Sequence, residues 1–445
     1  MLVITHLLKL MLLVIIITVL ALPLNAQILT LQQCIDTAQV HNKNLQIGMN
    51  NKALSVQKSK EAKAGLIPKI TAITEYKYYT EMPTQLMPLS AFNGPVGKFK
   101  ETQFGVPHNI NANLQLTMPL YNSQIFGAIK TTEIAEELTE LQYQKTEEQI
   151  FFEISNLYYN AQILNQQLFF IDTNIINTSK LLENIKLLKD QLMVKATDVS
   201  KVQLQLEQLN TQREIINSKY EQVMNALKFT MGIPIIQNIQ IEQNISFQKS
   251  NEYASSVTVD VRITEVQNRL LLNELRTLKR SRIPTLSLFG TYGNTGYGYD
   301  EKPNDFLKFY PVGFVGVQLT STLFNGTITK RKINQKKIEI QNSEIQMNLI
   351  TEQNTMLIGN AKRQKIVAYK STETTLEQIK LAKAIYEQTS LQQHEGTATL
   401  TDVLLADNSI REAQQAYLSA IIDYLKADLE LKKLTGNIGS ITIKR

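Results

Sequence analysis

Residues 198–232 read DVSKVQLQLEQLNTQREIINSKYEQVMNALKFTMG, and residues 402–436 read DVLLADNSIREAQQAYLSAIIDYLKADLELKKLTG. Each stretch opens on Asp-Val, closes on a glycine 34 residues later, and is apolar in the same register between. The first places Val199, Val202, Leu206, Leu209, Ile216, Tyr220, Val223 and Leu227 at alternating steps of three and four, interrupted by Arg213. The second places Val403, Ala406, Ile410, Ala413, Tyr417, Ala420, Tyr424, Ala427 and Leu431 there. That spacing is a coiled-coil seam, an apolar stripe that needs a partner helix. A duplicated chain is organised by its repeat, so everything else is placed relative to these two helices.

Upstream of each lies a matching phrase, Leu120-Tyr121-Asn122 and Leu323-Phe324-Asn325, 76 and 77 residues before the respective aspartate. The spans that follow predict long helices over about 122–194 and about 326–395. The first has a regular seam through Ile150, Ile154, Leu157, Ala161, Leu164 and Leu168; the second is less regular, and Gly359 would permit a kink. Some 70 helical residues make a rod of roughly 105 Å. The returning helices are predicted over about 198–231 and about 400–435.

Two further helices, from Leu29 to Gly65 and from about Val259 to Arg282, are closed by Pro68 and Pro284, because proline disfavours helix at the residue before it. Strands follow, over about 70–80, 108–119, 285–299 and 312–323. The clearest has Ile110, Ala112, Leu114, Leu116 and Met118 alternating with Asn109, Asn111, Asn113, Gln115 and Thr117, one apolar face and one polar face. Its length suits a membrane-spanning strand. Tyr292, Tyr297, Tyr299, Phe309 and Tyr310 gather near strand ends, where aromatics suit a membrane interface. Pro83, Pro88, Gly94, Pro95, Gly97, Gly105 and Pro107 mark Glu81–Pro107 as a long surface loop, and Asp300–Pro311 is its shorter counterpart. An ordinary soluble hairpin would show the same alternation; the leader described next and the repeat favour the membrane.

Residues 1–26 read as a secretory signal: Lys9 is the only formal charge, Leu10–Leu22 is apolar but for Thr18, and Ala26 is a small residue at the cut. The layout is then a first repeat over 27–234, an inter-repeat segment of short or irregular elements over 235–257, a second repeat over 258–436, and a tail over 437–445. With Cys34 alone, no intrachain disulfide forms. A net charge of +6, spread among many acids without a basic block, argues against a nucleic-acid partner. His41, His108 and His394 stand apart with no ligand spacing, so no metal or cofactor is expected. There is no phosphate loop, nucleophile elbow or triad, and hence no enzyme signature. Gly290, Gly293, Gly296 and Gly298 read as flexibility beside tyrosines.

Four amphipathic strands cannot close a barrel, since the smallest membrane barrels have about eight. An open edge in lipid leaves backbone groups unpaired at several kcal/mol each. Spanning strands therefore require several copies of the chain, and the helical seams ask for partners in the same way. The fold class is mostly α with membrane β: long antiparallel coiled-coil hairpins with four strands per chain.

The duplicated layout, the two strand-to-helix phrases (with Gly326 following Asn325), and Gly396-Thr397-Ala398-Thr399-Leu400-Thr401-Asp402-Val403-Leu404 at the second hairpin turn together resemble the TolC-like outer-membrane efflux and export channels. The resemblance covers essentially the whole mature chain. It implies a homotrimer in outer-membrane lipid of a Gram-negative bacterium, with a twelve-stranded β-barrel continued by an α-helical tunnel in the periplasm. It implies a passive exit duct for a tripartite efflux pump or type I secretion system, reached from an inner-membrane pump through a periplasmic adaptor. It also implies a gate just past the second turn. Asp402 matches the family's first acidic position, Asp198 is its counterpart in the first copy, and Leu405 stands where the best-known channel has a second acid. A ring of Asp402 would attract cations; the plainer reading is an acid favoured by the helix dipole, with Thr401 or Thr397 as cap. The turns, at Lys195, Thr197, Gly396, Thr397, Thr399 and Thr401, would dock the adaptor. The alternative is a periplasmic coiled-coil adaptor or structural protein, which would carry one hairpin flanked by soluble β modules. An exported hydrolase has no supporting constellation.

Overall fold

A computed structural model describes residues 28–245, 253–254, 256–299 and 308–438. The expected signal segment and residues 439–445 lie outside the described residues. In chain order the elements are β1 (Ile28–Leu29), α1 (Leu31–His41), α2 (Lys43–Ala64), β2 (Lys69–Tyr78), β3 (Thr84–Pro88), a 3-10 turn (Leu89–Phe92), β4 (Phe99–Gln103), β5 (His108–Tyr121), α3 (Ser123–Asp190), α4 (Ala196–Met231), β6 (Gln240–Ile241), α5 (Val259–Arg280), β7 (Thr285–Gly298), β8 (Lys308–Thr320), α6 (Ile328–His394) and α7 (Leu400–Leu434). They form two compact units, one from Lys52–Glu140 and Thr264–Gln346, the other from Met1–Asn51, Leu141–Ile263 and Met347–Arg445. Each unit draws on both repeats.

The first unit carries a four-stranded antiparallel sheet in the order β2-β5-β7-β8. Within each repeat the two strands pair as neighbours, and β5 with β7 joins the repeats. The register places Ile70 opposite Leu116, Leu114 opposite Tyr292, and Gly290 opposite Val315, so Ile70, Leu114, Leu116, Leu288, Val315 and Val317 share a face. On the other face the Thr295 hydroxyl donates to Asn111 Oδ1 at 2.9 Å. Two glycines of β7 have a steric reason. A Cβ at Gly293 would lie 2.2 Å from the Ala112 carbonyl oxygen, and one at Gly296 would lie 2.8 Å from the Phe309 ring. They make room for neighbouring backbone and rings. Glu81–Pro107 is not a plain loop either: β3 and β4 pair from Thr84↔Gln103 to Pro88↔Phe99. Its prolines and glycines mark the ends of this small hairpin, which the turn-rich composition hides.

Helices of the same unit are tied by ion pairs, among them Lys52–Glu140 at 2.6 Å, Arg269–Glu137 at 2.8 Å and Lys336–Glu274 at 2.7 Å. A Cβ on Gly127 would fall 2.2 Å from Thr277 Oγ1, so α3 and α5 approach closely there, and Asn273 Nδ2 donates to the Gly127 carbonyl at 3.2 Å.

In the second unit the helix expected over 29–65 is two helices. The break is at Asn42, whose ψ of 127° is extended. Its Oδ1 accepts from the amides of Asn44 and Leu45, capping α2, while its Nδ2 donates to the Thr230 carbonyl at 2.6 Å. An apolar core gathers Cys34, Ile35, Leu45, Ile154, Leu227, Met231 and Ile438. Burial there pushes the Cys34 thiol up to about 12, so it is an inert packing residue. The inter-repeat segment contributes β6, which pairs in parallel with β1. Ile163, Ala368, Leu418, Ile421 and Tyr424 form a second cluster. Beside it Asp428, on α7, accepts from Lys365 of α6 at 2.8 Å, from Lys432 at 3.1 Å, and from the Tyr253 hydroxyl at 2.7 Å.

Candidate functional site at the two helix turns

The turns that end the long helices are built alike. After α6, Gly396 adopts φ 76°, and the Thr397 amide reaches back to the Gln392 carbonyl at 2.8 Å. After α3, Leu192 adopts φ 61°, and the Met193 amide reaches back to Leu188 at 2.9 Å. Both are the glycine-type C-cap that satisfies orphan carbonyls. In the first turn, however, an L-residue takes the left-handed position, at a cost of about 1–2 kcal/mol. Leu192 is 93% exposed, and Met193 beside it is also exposed. Sequence reasoning passed over both. The signal was available, because Leu192 stands 204 residues before Gly396, the same offset that separates Asp198 from Asp402.

Thr399 is the N-cap of α7; neither Thr397 nor Thr401 has that role. Its hydroxyl accepts from the Asp402 amide at 3.3 Å, and its own amide donates to Asp402 Oδ2 at 2.9 Å. This reciprocal pair satisfies two orphan donors of the helix start. Thr397 instead donates from its hydroxyl to the Gln392 carbonyl at 3.1 Å. Asp402 is exposed; hydrogen bonds from the Thr399 hydroxyl and then from its backbone hold the carboxyl below the usual range. In the first turn Lys195 is the N-cap of α4, without a side-chain cap, and Thr197 lies in the first turn of that helix. Asp198, in the same turn, pairs with Lys201 at 3.4 Å.

Apolar packing brings the two turns together. Leu182 and Ile185 of α3, Val202 of α4 and Leu400 of α7 form one cluster, with Val194, Val199 and Leu404 against it. Just beyond, Gln205 of α4 donates to the buried carboxylate of Asp407. Nothing in the sequence around Asp407 marks it as buried; its burial is a tertiary fact. Among the described residues no cluster of three metal-ligating side chains occurs, and no helix is long and apolar enough to cross a membrane.

No protein-family model matches the chain. Over 443 residues it is 20% identical to outer membrane protein TolC of Salmonella enteritidis, covering 92% of this chain and 82% of that protein. Among solved structures, outer membrane protein VceC of Vibrio cholerae has a TM-score of 0.73 at 15% identity, covering 91% of this chain and 96% of that one. The MtrE outer membrane channel of Neisseria gonorrhoeae, in its open state, has a TM-score of 0.74 at 15% identity, covering 91% and 88%. The CmeC outer membrane channel of Campylobacter jejuni has a TM-score of 0.72 at 13% identity, covering 92% and 85%. The chain thus shares the fold of these solved outer-membrane channels and is similar in sequence to TolC over nearly its whole length.

Proposed function

We propose that this chain forms a homotrimeric outer-membrane duct that passively carries cargo out of the cell from an inner-membrane pump reached through a periplasmic adaptor. The observation that carries the reading is the sheet. Among the described residues both of its edge strands, β2 and β8, have one unpaired side, and Val315, Val317, Leu319 and Ile70 stand exposed on the apolar face. In lipid such edges must be paired. The four strands alternate in direction, so β8 of one copy can pair antiparallel with β2 of the next and continue the same up-and-down order. Helix α6 supports the same reading, with Met356, Ile366, Leu381, Ile385 and Leu391 exposed along its length, an apolar stripe that a neighbouring copy would cover. An adaptor with one helical hairpin does not account for two hairpins and two strand pairs.

The turns are the adaptor-docking surface in this reading. Lys195, Thr197, Gly396, Thr397, Thr399 and Thr401 surround them, and the exposed Leu192 and Met193 add an apolar tip. Three copies of Asp402 would ring the inner mouth and attract cations, with Asp198 as a second acidic position. Purified protein added to planar bilayers should give discrete single-channel currents blocked by multivalent cations. Asp402→Ala should raise the basal current and weaken that block. Channels whose block is the same in Asp402→Ala would remove the ring while leaving the duct; monomeric protein released by salt alone would remove the duct.

A further inference from the structure

We propose that Asp407 is a proton-sensitive clasp tying α7 to the first hairpin beside the turns, and that it grips more firmly when it carries a proton. This rests on the channel reading above. Asp407 lies five residues past Asp402 on α7 and is 6% exposed. Three groups face it. Gln205 of α4 donates to its Oδ2. Arg411, one turn further along α7, lies 3.4 Å from the same oxygen. Tyr386 of α6 feels its charge: burial first, and then Asp407, hold that phenol above its ordinary range.

Two other bonds join α3 to α7, Asn174–Gln414 at 3.1 Å and Gln167–Gln415 at 2.7 Å. Both link neutral amides, and water can replace them at small net cost whatever the pH. The Asp407 contact differs because its acceptor titrates and is shut away from water. Burial pushes that carboxyl up, and Arg411 and Gln205 oppose the push only in part. Movement of α7 away from α4 wets the carboxylate and returns it towards its ordinary value. A group that holds its proton more tightly in one of two arrangements draws the molecule into that arrangement as pH falls. The clasped form is therefore favoured by acid and loosened as pH rises, the reverse of a carboxylate whose value is depressed on folding. The contact survives protonation, because the carboxyl can donate its O–H to Gln205 Oε1 once that amide turns over. Asp402 is shifted the other way, because hydrogen bonds from Thr399 hold its carboxyl below the usual range.

The test uses the full-length channel in planar bilayers, with current recorded upward from about pH 4, near the ordinary aspartate value. Wild-type current should rise with pH. Asp407→Asn keeps the shape and the Gln205 partner but cannot ionise, so it should lose the rise and stay at the acid level. Gln205→Glu sets a second carboxylate against the first and should raise the current above wild type at the alkaline end only. An Asp407→Asn curve that tracks wild type, or a Gln205→Glu curve that does not move, overturns the clasp. Absence of pores from the wild type as well overturns the duct itself.

Discussion

Gly232 and Gly436 end the two returning helices in the left-handed region, at φ 77° and φ 70°. A side chain is costly at either, by about 1–2 kcal/mol from backbone conformation alone. The surroundings then separate them. A Cβ at Gly232 would lie 2.2 Å from the His41 carbonyl oxygen, which is backbone and cannot turn away. At Gly436 it would meet the Ser256 hydroxyl at 2.2 Å, the end of a side chain that can rotate. Gly232→Ala should therefore lower the thermal midpoint more than Gly436→Ala, and equal losses would show that the His41 contact does not matter. The pair of glycines was legible as the two ends of the repeat. Which backbone each one abuts was not, because His41 lies 191 residues from Gly232 in the chain and no spacing encodes that meeting. Asp402 shows the same division. Its place in a helix start could be read, but the choice of Thr399 over Thr397 or Thr401 as cap depends on which residue turns extended, at ψ 160°.

At the scale of elements, α6 runs unbroken through Gly359 as a 67-residue helix. One glycine costs about 1 kcal/mol relative to alanine, too little to break a helix supported on both sides of it. The poorer seam of α6 has a physical cause: much of its apolar stripe is not satisfied within the chain and stands exposed. Against α7 it is held by Ala368 packed with Leu418, Ile421 and Tyr424, and by charge. Lys365 and Asp428 are 11% and 12% exposed, and Lys432 and Tyr253 also contact the carboxylate. Removing one partner of a buried pair leaves the other uncompensated, typically at 3–5 kcal/mol. Asp428→Ala should thus destabilise by about 3–5 kcal/mol in denaturant titration, whereas Lys432→Ala, at the more exposed end of the cluster, should cost clearly less. A small effect of Asp428→Ala would mean that the lysines find water instead.

At the scale of the whole molecule, the open sheet decides what the protein can be. Val315 sits mid-strand on the apolar face of β8 and is exposed, while Gln115 of β5 lies on the opposite face. If that apolar face meets lipid, Val315→Lys should cost about 2–4 kcal/mol near the bilayer midplane and reduce the amount of assembled channel recovered from membranes. Gln115→Lys should assemble as wild type and change only the current. Light scattering of the detergent-extracted wild type should give three copies per particle. Equal tolerance of both lysines would mean that the two faces share one environment.

The sequence by itself determined the repeat, the helical hairpins, the four strands and their two faces. These depend on period and on local punctuation by proline and glycine, which act over a few residues and are written in order along the chain. It also determined that one copy cannot seal a barrel, a matter of counting strands. Only the tertiary structure decided that β5 pairs with β7 to join the repeats, that Asn42 breaks the first helix to reach Thr230, that Glu81–Pro107 folds into its own hairpin, and that Asp407 is buried against Gln205. Each of these is a meeting of side chains or strands across a loop or a longer stretch of chain. Its free energy comes from water excluded and partners found at the point of contact, and such a contact leaves no period in the sequence.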